Sequence, residues 1–161
     1  MNRAYVRLGK YEDTFLLAPM IREQDKEELL AADNKQPLEA LQAPFSIKGS
    51  ITYSIVEDTD NNQEEILGMF GTVPTPVKKY GVIWLLSSDR LRKYAKRFIQ
   101  ENEKWIKKIS KTYQTVFNYV DCRNTVSQKW LEHLGFKNIE TRPYGHLNLN
   151  FSLYIKEIPH V

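Results

Sequence analysis

The chain has a single cysteine, Cys122, in 161 residues, so an internal disulfide is excluded and a reducing compartment fits. No apolar run approaches the roughly 18 residues that a membrane-spanning helix needs. No N-terminal segment combines a basic start with an apolar run of signal length. Internal repeats and low-complexity tracts are missing as well. These absences predict a soluble protein inside a cell, or inside a particle assembled there, and predict no membrane contact.

The composition predicts one folded domain over residues 1–161. Nine tyrosines, seven phenylalanines and three tryptophans supply enough large side chains for a core, which excludes a disordered chain. The formal net charge of +3 is small. Its position along the chain therefore matters more than its size.

Hydrophobic patterns predict strands in five places, together with a less regular N-terminal region. Residues 2–13 are predicted as an extra strand or an arm, and 14–20 as a strand or the approach to one. The clearer strands are 51–56, 66–72, 82–86, 115–121 and a final one in which Leu147, Leu149, Phe151, Leu153 and Ile155 face inward.

Four helices are predicted from caps and helical spacing. The first begins at Asp25 with a capping box to Glu28 and ends near Asn34. The others run over 37–43, 90–112 and 125–134, the last closed by Gly135 in a left-handed conformation. The order of elements predicts an α/β (α+β) fold with a central, mostly antiparallel mixed sheet flanked by about four helices.

Four segments together resemble the GNAT superfamily of N-acetyltransferases, and they span most of the chain. The run Ile21 to Asp25 resembles the family's "I-R-x-x-D" start, and Gly68 lies in a hairpin of the "I-x-G" type. Residues 84–86 precede a long helix, as in the family's fourth strand. Residues 124–136 follow the spacing of the family's "N-x-x-A…G-F" ending. The resemblance implies a GNAT-like fold.

Three features of active family members are missing here. Their fourth strand leads into a Q/R-x-x-G-x-G/A loop, whose glycines let backbone N–H groups approach the diphosphate of acetyl-CoA. No glycine occurs between Val82 and Leu134, and Asp89 places negative charge where a diphosphate would lie. Leu131 stands where many members have a tyrosine that protonates the departing thiolate, and residues 82–86 carry no carboxylate base. These departures predict a degenerate site, with no catalytic residue assigned.

The resemblance implies acetyl-CoA contacts only as an alternative to a protein without a cofactor. The residues predicted for this alternative are Ser88, Arg90, Arg92, Lys93 and Asn124. Asn124 has a second interpretation, because an asparagine here caps the following helix. No metal site is predicted, since His133, His146 and His160 are scattered. Cys122 has no histidine at a recognisable spacing and is interpreted as a packing residue.

A second resemblance is closer and leads to a different function. The run 84–89 followed by a basic helix, the run 117–121 and the tail 142–151 look like a small GNAT-like family of tailed bacteriophages and prophages. That family includes internal virion proteins of short-tailed phages. It implies a non-catalytic virion or assembly protein, with phage structural or assembly proteins as partners and the host cytoplasm or the virion as its location. The oligomeric state is left open.

The basic face of the long helix is predicted to contact the partner. Its assigned residues are Lys96, Arg97, Lys104, Lys107 and Lys108. A solvated helix face explains the same charge pattern. Two other functions therefore remain open. One is a divergent acetyl-CoA-dependent N-acetyltransferase, and the other is a nucleic-acid accessory protein that makes weak, salt-dependent contacts through this helix.

Overall fold

A computed structural model of the chain describes residues 3–159, so the predictions that include Asn2 and His160 lie partly or wholly outside it. Its centre is a seven-stranded sheet in the order β1-β2-β3-β4-β5-β7-β6. The strands are β1 (Arg3–Leu8), β2 (Ile51–Asp58), β3 (Glu64–Pro74), β4 (Tyr80–Ser87), β5 (Thr115–Asp121), β6 (Lys137–Tyr144) and β7 (Leu149–Glu157). The α-helices of the described residues are α1 (Asp13–Leu17), α2 (Glu23–Asp33), α3 (Pro37–Gln42), α4 (Ala95–Ile109) and α5 (Thr125–His133). The predicted mixed, mostly antiparallel fold is confirmed, with five helices rather than about four.

One pair of strands differs from all the others. Every neighbouring pair is antiparallel except β4 and β5, which are parallel and pair only over Tyr80–Val82 and Thr115–Phe117. Beyond these residues the two strands separate. We call this opening, between residues 83–87 of β4 and 118–121 of β5, the fork.

The helices cover both faces of the sheet, which explains why most strands are buried on both sides. One face packs under α4 and α5 around Phe70, Trp105 and Leu131. The other packs under α1, α2 and α3 around Leu17 and Met69. The fork therefore lies between two helical layers.

The prediction of a strand over 14–20 is wrong. This region forms α1 and a 3₁₀ turn over Ala18–Met20, in which Pro19 stands near the start. Its apolar residues do not alternate between inside and outside, since Leu17 is fully buried whereas the adjacent Phe15 and Leu16 are exposed. A strand would need a two-residue period. The short helix instead buries one side, formed by Asp13, Thr14 and Leu17.

The start of α2 also differs from the prediction. The helix begins at Glu23, and its N-cap residue is Arg22 rather than Asp25. Asp25 lies inside the first turn, where its carboxylate is buried and bound by Arg22. The predicted end of the helix is confirmed, because Asn34 adopts a left-handed conformation as its C-cap.

The predicted long helix from 90 to 112 divides into two parts. A 3₁₀ segment covers Asp89–Tyr94, and α4 follows from Ala95 to Ile109. A 3₁₀ helix has three residues per turn, so residues three apart lie in one row. Arg90 and Lys93 form such a row, and both bind the buried carboxylate of Glu57 on β2. The tighter winding thus coincides with a shared contact to a distant strand.

The C-terminal hairpin contains one strand that the sequence analysis did not identify, β6. The predicted inward face of the final strand is only partly right. Phe151 is buried as expected, but Ser152 and Tyr154 on the opposite face are buried as well. Leu147 is half exposed in the turn before β7. Alternation fails here because both faces of β7 are covered.

Gly135 adopts the left-handed conformation that was predicted, with φ of 87° after α5. An added Cβ has room, since its nearest neighbour is the flexible end of Lys156 at 3.5 Å. Gly135→Ala should therefore lower the free energy of unfolding by about 1 kcal/mol through backbone strain alone. Gly135→Asn should cost less, because asparagine tolerates this conformation. Urea denaturation of both variants measures the difference, and an alanine variant as stable as the wild type would contradict it.

Candidate active site

A cavity of about 290 Å³ lies at the fork, between the start of α4 and α5. Its walls are mostly apolar, because both helices turn their inner faces toward it. The apolar lining residues include Leu85, Leu91, Phe98, Ile99, Val126 and Trp130. Such walls favour an apolar or amphipathic ligand.

The floor of the cavity is polar and buried. Arg22 and Asp25 line it, and their closest atoms, Nη2 and Oδ1, are 2.7 Å apart. The Asn124 amide donates to Oδ1 of Asp25 at 2.9 Å, while its carbonyl oxygen accepts from Nη2 of Arg22 at 3.1 Å. This closed network joins the start of α2 to the start of α5. It also compensates a buried ion pair that would otherwise be costly.

Side chains of α2 accept hydrogen bonds from backbone N–H groups on both strand edges of the fork. The N–H of Ser88 donates to Leu67 on β3, so the N–H of Ser87 points into the fork, where Asp25 accepts it at 3.1 Å. On the opposite edge, the N–H of Asp121 donates to Oε1 of Glu28 at 2.7 Å. Backbone N–H groups left unpaired by the separation of β4 and β5 thus find carboxylates one helical turn apart.

Glu28 has a strongly perturbed environment. Burial raises the pKa of Glu28 from 4.5 to about 8, and the negative charges of Asp25 and Asp121 add to the shift. The backbone N–H of Asp121 and the amide of Asn124 oppose it. Near neutral pH this carboxyl is therefore a mixture of protonated and ionised forms.

Three groups that are cationic or can become so lie at the cavity mouth. Arg92 comes from the 3₁₀ segment before α4, and Lys129 and His133 come from α5. A single carboxylate, Asp89, lies at the same rim. The balance favours an anionic group of a ligand, held by side chains rather than by a glycine-rich backbone.

Of the five residues predicted for acetyl-CoA contact, only two line the cavity. Ser88 and Arg92 line the cavity, although the Ser88 hydroxyl is already bound to the carbonyl of Leu67 at 3.2 Å. Arg90 and Lys93 point away toward Glu57. Asn124 lies beneath the floor and accepts from Ser127 N at 3.4 Å, as the helix cap that was the second interpretation.

Several residues of this site were missed from the sequence. Asp25 and Glu28 were assigned to helix capping, and Arg22 was noted only within the run that resembles the family's start. The spacing "R-x-x-D-x-x-E" places all three near one end of a helix. Lys129 and His133 were not considered. Their spacing of four residues, which brings side chains to one face of a helix, was the available signal.

The cations assigned to partner contact are spread around α4. Arg97 pairs with Glu101 at 3.5 Å, and the ammonium groups of Lys104 and Lys108 lie 5.1 and 4.7 Å from the ring centre of Trp105. The remaining two residues of the set, Lys96 and Lys107, are exposed. Their role in binding a partner stays a prediction.

Other residues considered in the sequence analysis lie outside the cavity. Leu131 is buried in the core. Tyr154 donates to Glu132 at 3.1 Å, and burial, followed by this hydrogen bond, raises the pKa of Tyr154 to about 12. Sγ of Cys122 lies 3.5 Å from the Ser152 hydroxyl.

The described residues contain neither a metal-binding cluster nor a membrane-spanning helix. Within residues 3–159, no three His, Cys, Asp or Glu side chains come close enough together to hold a metal ion. No helix in the same range is both long and apolar enough to cross a membrane.

Comparison with known proteins identifies the fold. Neither a protein-family sequence model nor a curated protein sequence matches this chain. Solved structures, in contrast, match this chain over nearly its whole length. A GNAT-family acetyltransferase from Streptococcus pneumoniae is 16% identical, with a TM-score of 0.63 over 98% of this chain and 100% of that one. A GCN5-related N-acetyltransferase from Kribbella flavida is 18% identical, with a TM-score of 0.65 over 96% of this chain and 98% of that one.

A third structure agrees with these two. The ribosomal-protein-S5-alanine acetyltransferase from Vibrio fischeri is 18% identical, with a TM-score of 0.64 over 96% of this chain and 92% of that one. The identities are low, so the likeness concerns the backbone. This chain has the fold of the GNAT acetyltransferases.

Proposed function

We propose that the protein is an acetyl-CoA-dependent N-acetyltransferase. The observation that carries the proposal is the cavity at the fork, which combines apolar walls with a cationic mouth. A CoA thioester has the matching shape, with a slender amphipathic arm at one end and phosphates at the other. The three solved structures compared above are named as acetyltransferases.

The residues present fit such a donor in three ways. The apolar walls between α4 and α5 suit the thioester arm. Arg92 and Lys129 suit its phosphates. Alternation of N–H groups along β4 puts the N–H of Leu85 on the same edge as that of Ser87, within the fork. This N–H is suited to bind the thioester carbonyl, whose oxygen gains charge as an amine attacks it.

One feature of the site opposes strong phosphate binding. The turn after β4 has no glycine, and Asp89 is exposed at the rim. Side-chain cations must therefore supply most of the attraction, so we expect the affinity for CoA to depend steeply on Arg92 and Lys129.

Isothermal calorimetry with acetyl-CoA tests this dependence. Arg92→Ala and Lys129→Ala should each weaken binding about tenfold, since a charge-assisted hydrogen bond contributes at least ~1.4 kcal/mol. Arg97→Ala is the matched control, because Arg97 lies on α4 directly after the 3₁₀ segment that carries Arg92, and it pairs with Glu101 outside the cavity. No heat change and no thermal shift with millimolar acetyl-CoA for the wild type would overturn the proposed function.

A second candidate is the non-catalytic phage virion or assembly protein predicted from the sequence. It is favoured by Leu131, which fills the family's usual acid position with a core side chain, and by the occupation of Arg90 and Lys93 by Glu57. Mass spectrometry of purified particles tests it directly. Detection of the protein there, together with absence of acetyl-CoA binding, would favour this candidate over the enzyme.

A further inference from the structure

The fork contains two carboxylates in different surroundings. Asp25 lies on the β4 edge and Glu28 on the β5 edge, each accepting one backbone N–H. They come from successive turns of α2, so the helix inserts both into the gap between the strands. The β4 strand itself supplies no carboxylate at this level.

The two carboxylates differ in their partners. Asp25 is bound by the guanidinium of Arg22 and by the amide of Asn124. Glu28 makes no ion pair with any residue from 3 to 159; its bonding partner is the N–H of Asp121, with the Asn124 amide nearby. Asp25 therefore has a structural partner for its charge, whereas Glu28 does not.

Among the described residues, the charged groups around Glu28 do not hold its carboxyl group in an ion pair. On its own helix it faces Asp25, and from β5 it faces Asp121. The positive charge near it is Arg123, whose guanidinium is held by Asp121, with Nη2 and Oδ2 2.6 Å apart, and more loosely by Glu27 at 3.8 Å. The side chain of Glu28 is only partly buried. It is not among the residues that line the cavity, but a water molecule can reach it and relay a proton from an amine in the fork.

We propose that Glu28 is the general base that deprotonates the acceptor amine in the acetyl transfer. This proposal rests on the function proposed above. A primary alkylamine enters as its ammonium ion and gives one proton to the Glu28 carboxylate. The neutral nitrogen then attacks the thioester carbonyl carbon, a C–N bond forms and the C–S bond breaks. The sulfur leaves with the electron pair and takes the second nitrogen proton, and Glu28 returns its proton to solvent.

The pKa of Glu28 near 8 suits this role. A base is most effective when its pKa lies near the working pH, because it must accept a proton and release it again in each cycle. The raised pKa predicts that the rate of acetyl transfer rises with pH to a plateau above about 8. Substitution of Glu28 by glutamine should remove this rise.

Two nucleophiles test the role of Glu28 at pH 7. n-Butylamine is an ammonium ion at this pH and needs a base, whereas hydroxylamine is uncharged and does not. Thiol release from saturating acetyl-CoA should fall about 100-fold in Glu28→Gln with butylamine and stay within about threefold with hydroxylamine. Glu28→Asp should restore part of the butylamine rate. The control is Glu27→Gln, which changes an exposed neighbour on α2.

The outcomes separate the two proposals. Normal acetyl-CoA affinity in Glu28→Gln with an equal loss for both nucleophiles, or with no loss for either, overturns the role of Glu28 alone. Acetyl-CoA binding by the wild type without thiol release to either nucleophile overturns both the acetyl transfer and the role of Glu28. Failure of the wild type to bind acetyl-CoA overturns the proposed function, and the role of Glu28 with it.

A second measurement does not depend on activity. Because folding raises the pKa of Glu28 from 4.5 to about 8, the native state holds this proton more tightly. The resulting stabilisation is complete below pH 4.5, declines as the pH rises and is lost above about 8. The Tm of Glu28→Gln minus that of the wild type should therefore grow by about 7–14 °C between pH 5 and 8. A constant difference would show that Glu28 titrates normally and would overturn its role.

Discussion

Replacement of Asp25 by alanine is expected to lower the free energy of unfolding by about 3–5 kcal/mol. The carboxylate is only 1% exposed and neutralises Arg22, which is 7% exposed. It also accepts the amide of Asn124 and the N–H of Ser87. Without it, a buried guanidinium has no counter-charge and two buried donors lose their acceptor. Each of these losses is costly because water cannot replace the missing partner.

Two comparison variants isolate the cause. Glu23→Ala removes an exposed carboxylate from the first turn of the same helix, where its oxygen lies 3.7 Å from Lys26, and it should change stability by less than about 0.5 kcal/mol. The double variant Arg22→Met/Asp25→Leu should be more stable than Asp25→Ala, since it removes the uncompensated charge. Urea unfolding of the variants measures both. An Asp25→Ala protein as stable as Glu23→Ala would show that the network does not join α2 to α5.

The parts of the fold that were predicted from sequence depend on local signals. The helix α5 has a capping asparagine at one end and a glycine in the left-handed conformation at the other. Both signals act within a few residues, so the sequence contains them in full. The strand β5 was predicted with its observed bounds for the same reason, since its β-rich residues are bounded by turns.

The parts that could not be predicted depend on distant partners. Glu57 binds Arg90 and Lys93 from a strand more than 30 residues earlier in the chain, and this contact coincides with the 3₁₀ winding before α4. No pattern within the segment contains that information. Tyr154 is another example, because its burial depends on α5 covering a face of β7 that alternation assigned to solvent.

The candidate site contains residues whose role follows from local signals and residues whose role depends on distant partners. Asn124 was correctly interpreted as a cap, but its second role, which is to bind Asp25 from α2, spans 99 residues. The acidic residues of α2 were visible in the sequence and were assigned to capping, because nothing local shows that β4 and β5 separate beside them. The resemblance pointed to β4 for a base, and β4 has no carboxylate. The fork itself follows from the register of the sole parallel pair among the described strands.

Ala95→Trp is expected to weaken acetyl-CoA binding at least about 100-fold, a loss of about 2.8 kcal/mol. Ala95 opens α4 and lines the cavity beside Arg92 and Phe98. A cavity of about 290 Å³ cannot hold both an indole and a thioester arm. The variant should remain folded, because Ala95 is only partly buried and its side chain borders open space rather than the core.

Lys96→Trp is the matched control for this variant, since it introduces the same side chain one residue later, at an exposed position outside the cavity. Calorimetry should give wild-type affinity for Lys96→Trp and almost no heat for Ala95→Trp, with similar unfolding transitions for both. Wild-type affinity in Ala95→Trp would place the donor elsewhere on the protein. Equal losses in both variants would instead show that a bulky residue anywhere on this part of α4 disturbs binding. The cavity would then no longer be supported as the binding site of the donor. The expected contrast between adjacent residues therefore tests the position of the site as well as its existence.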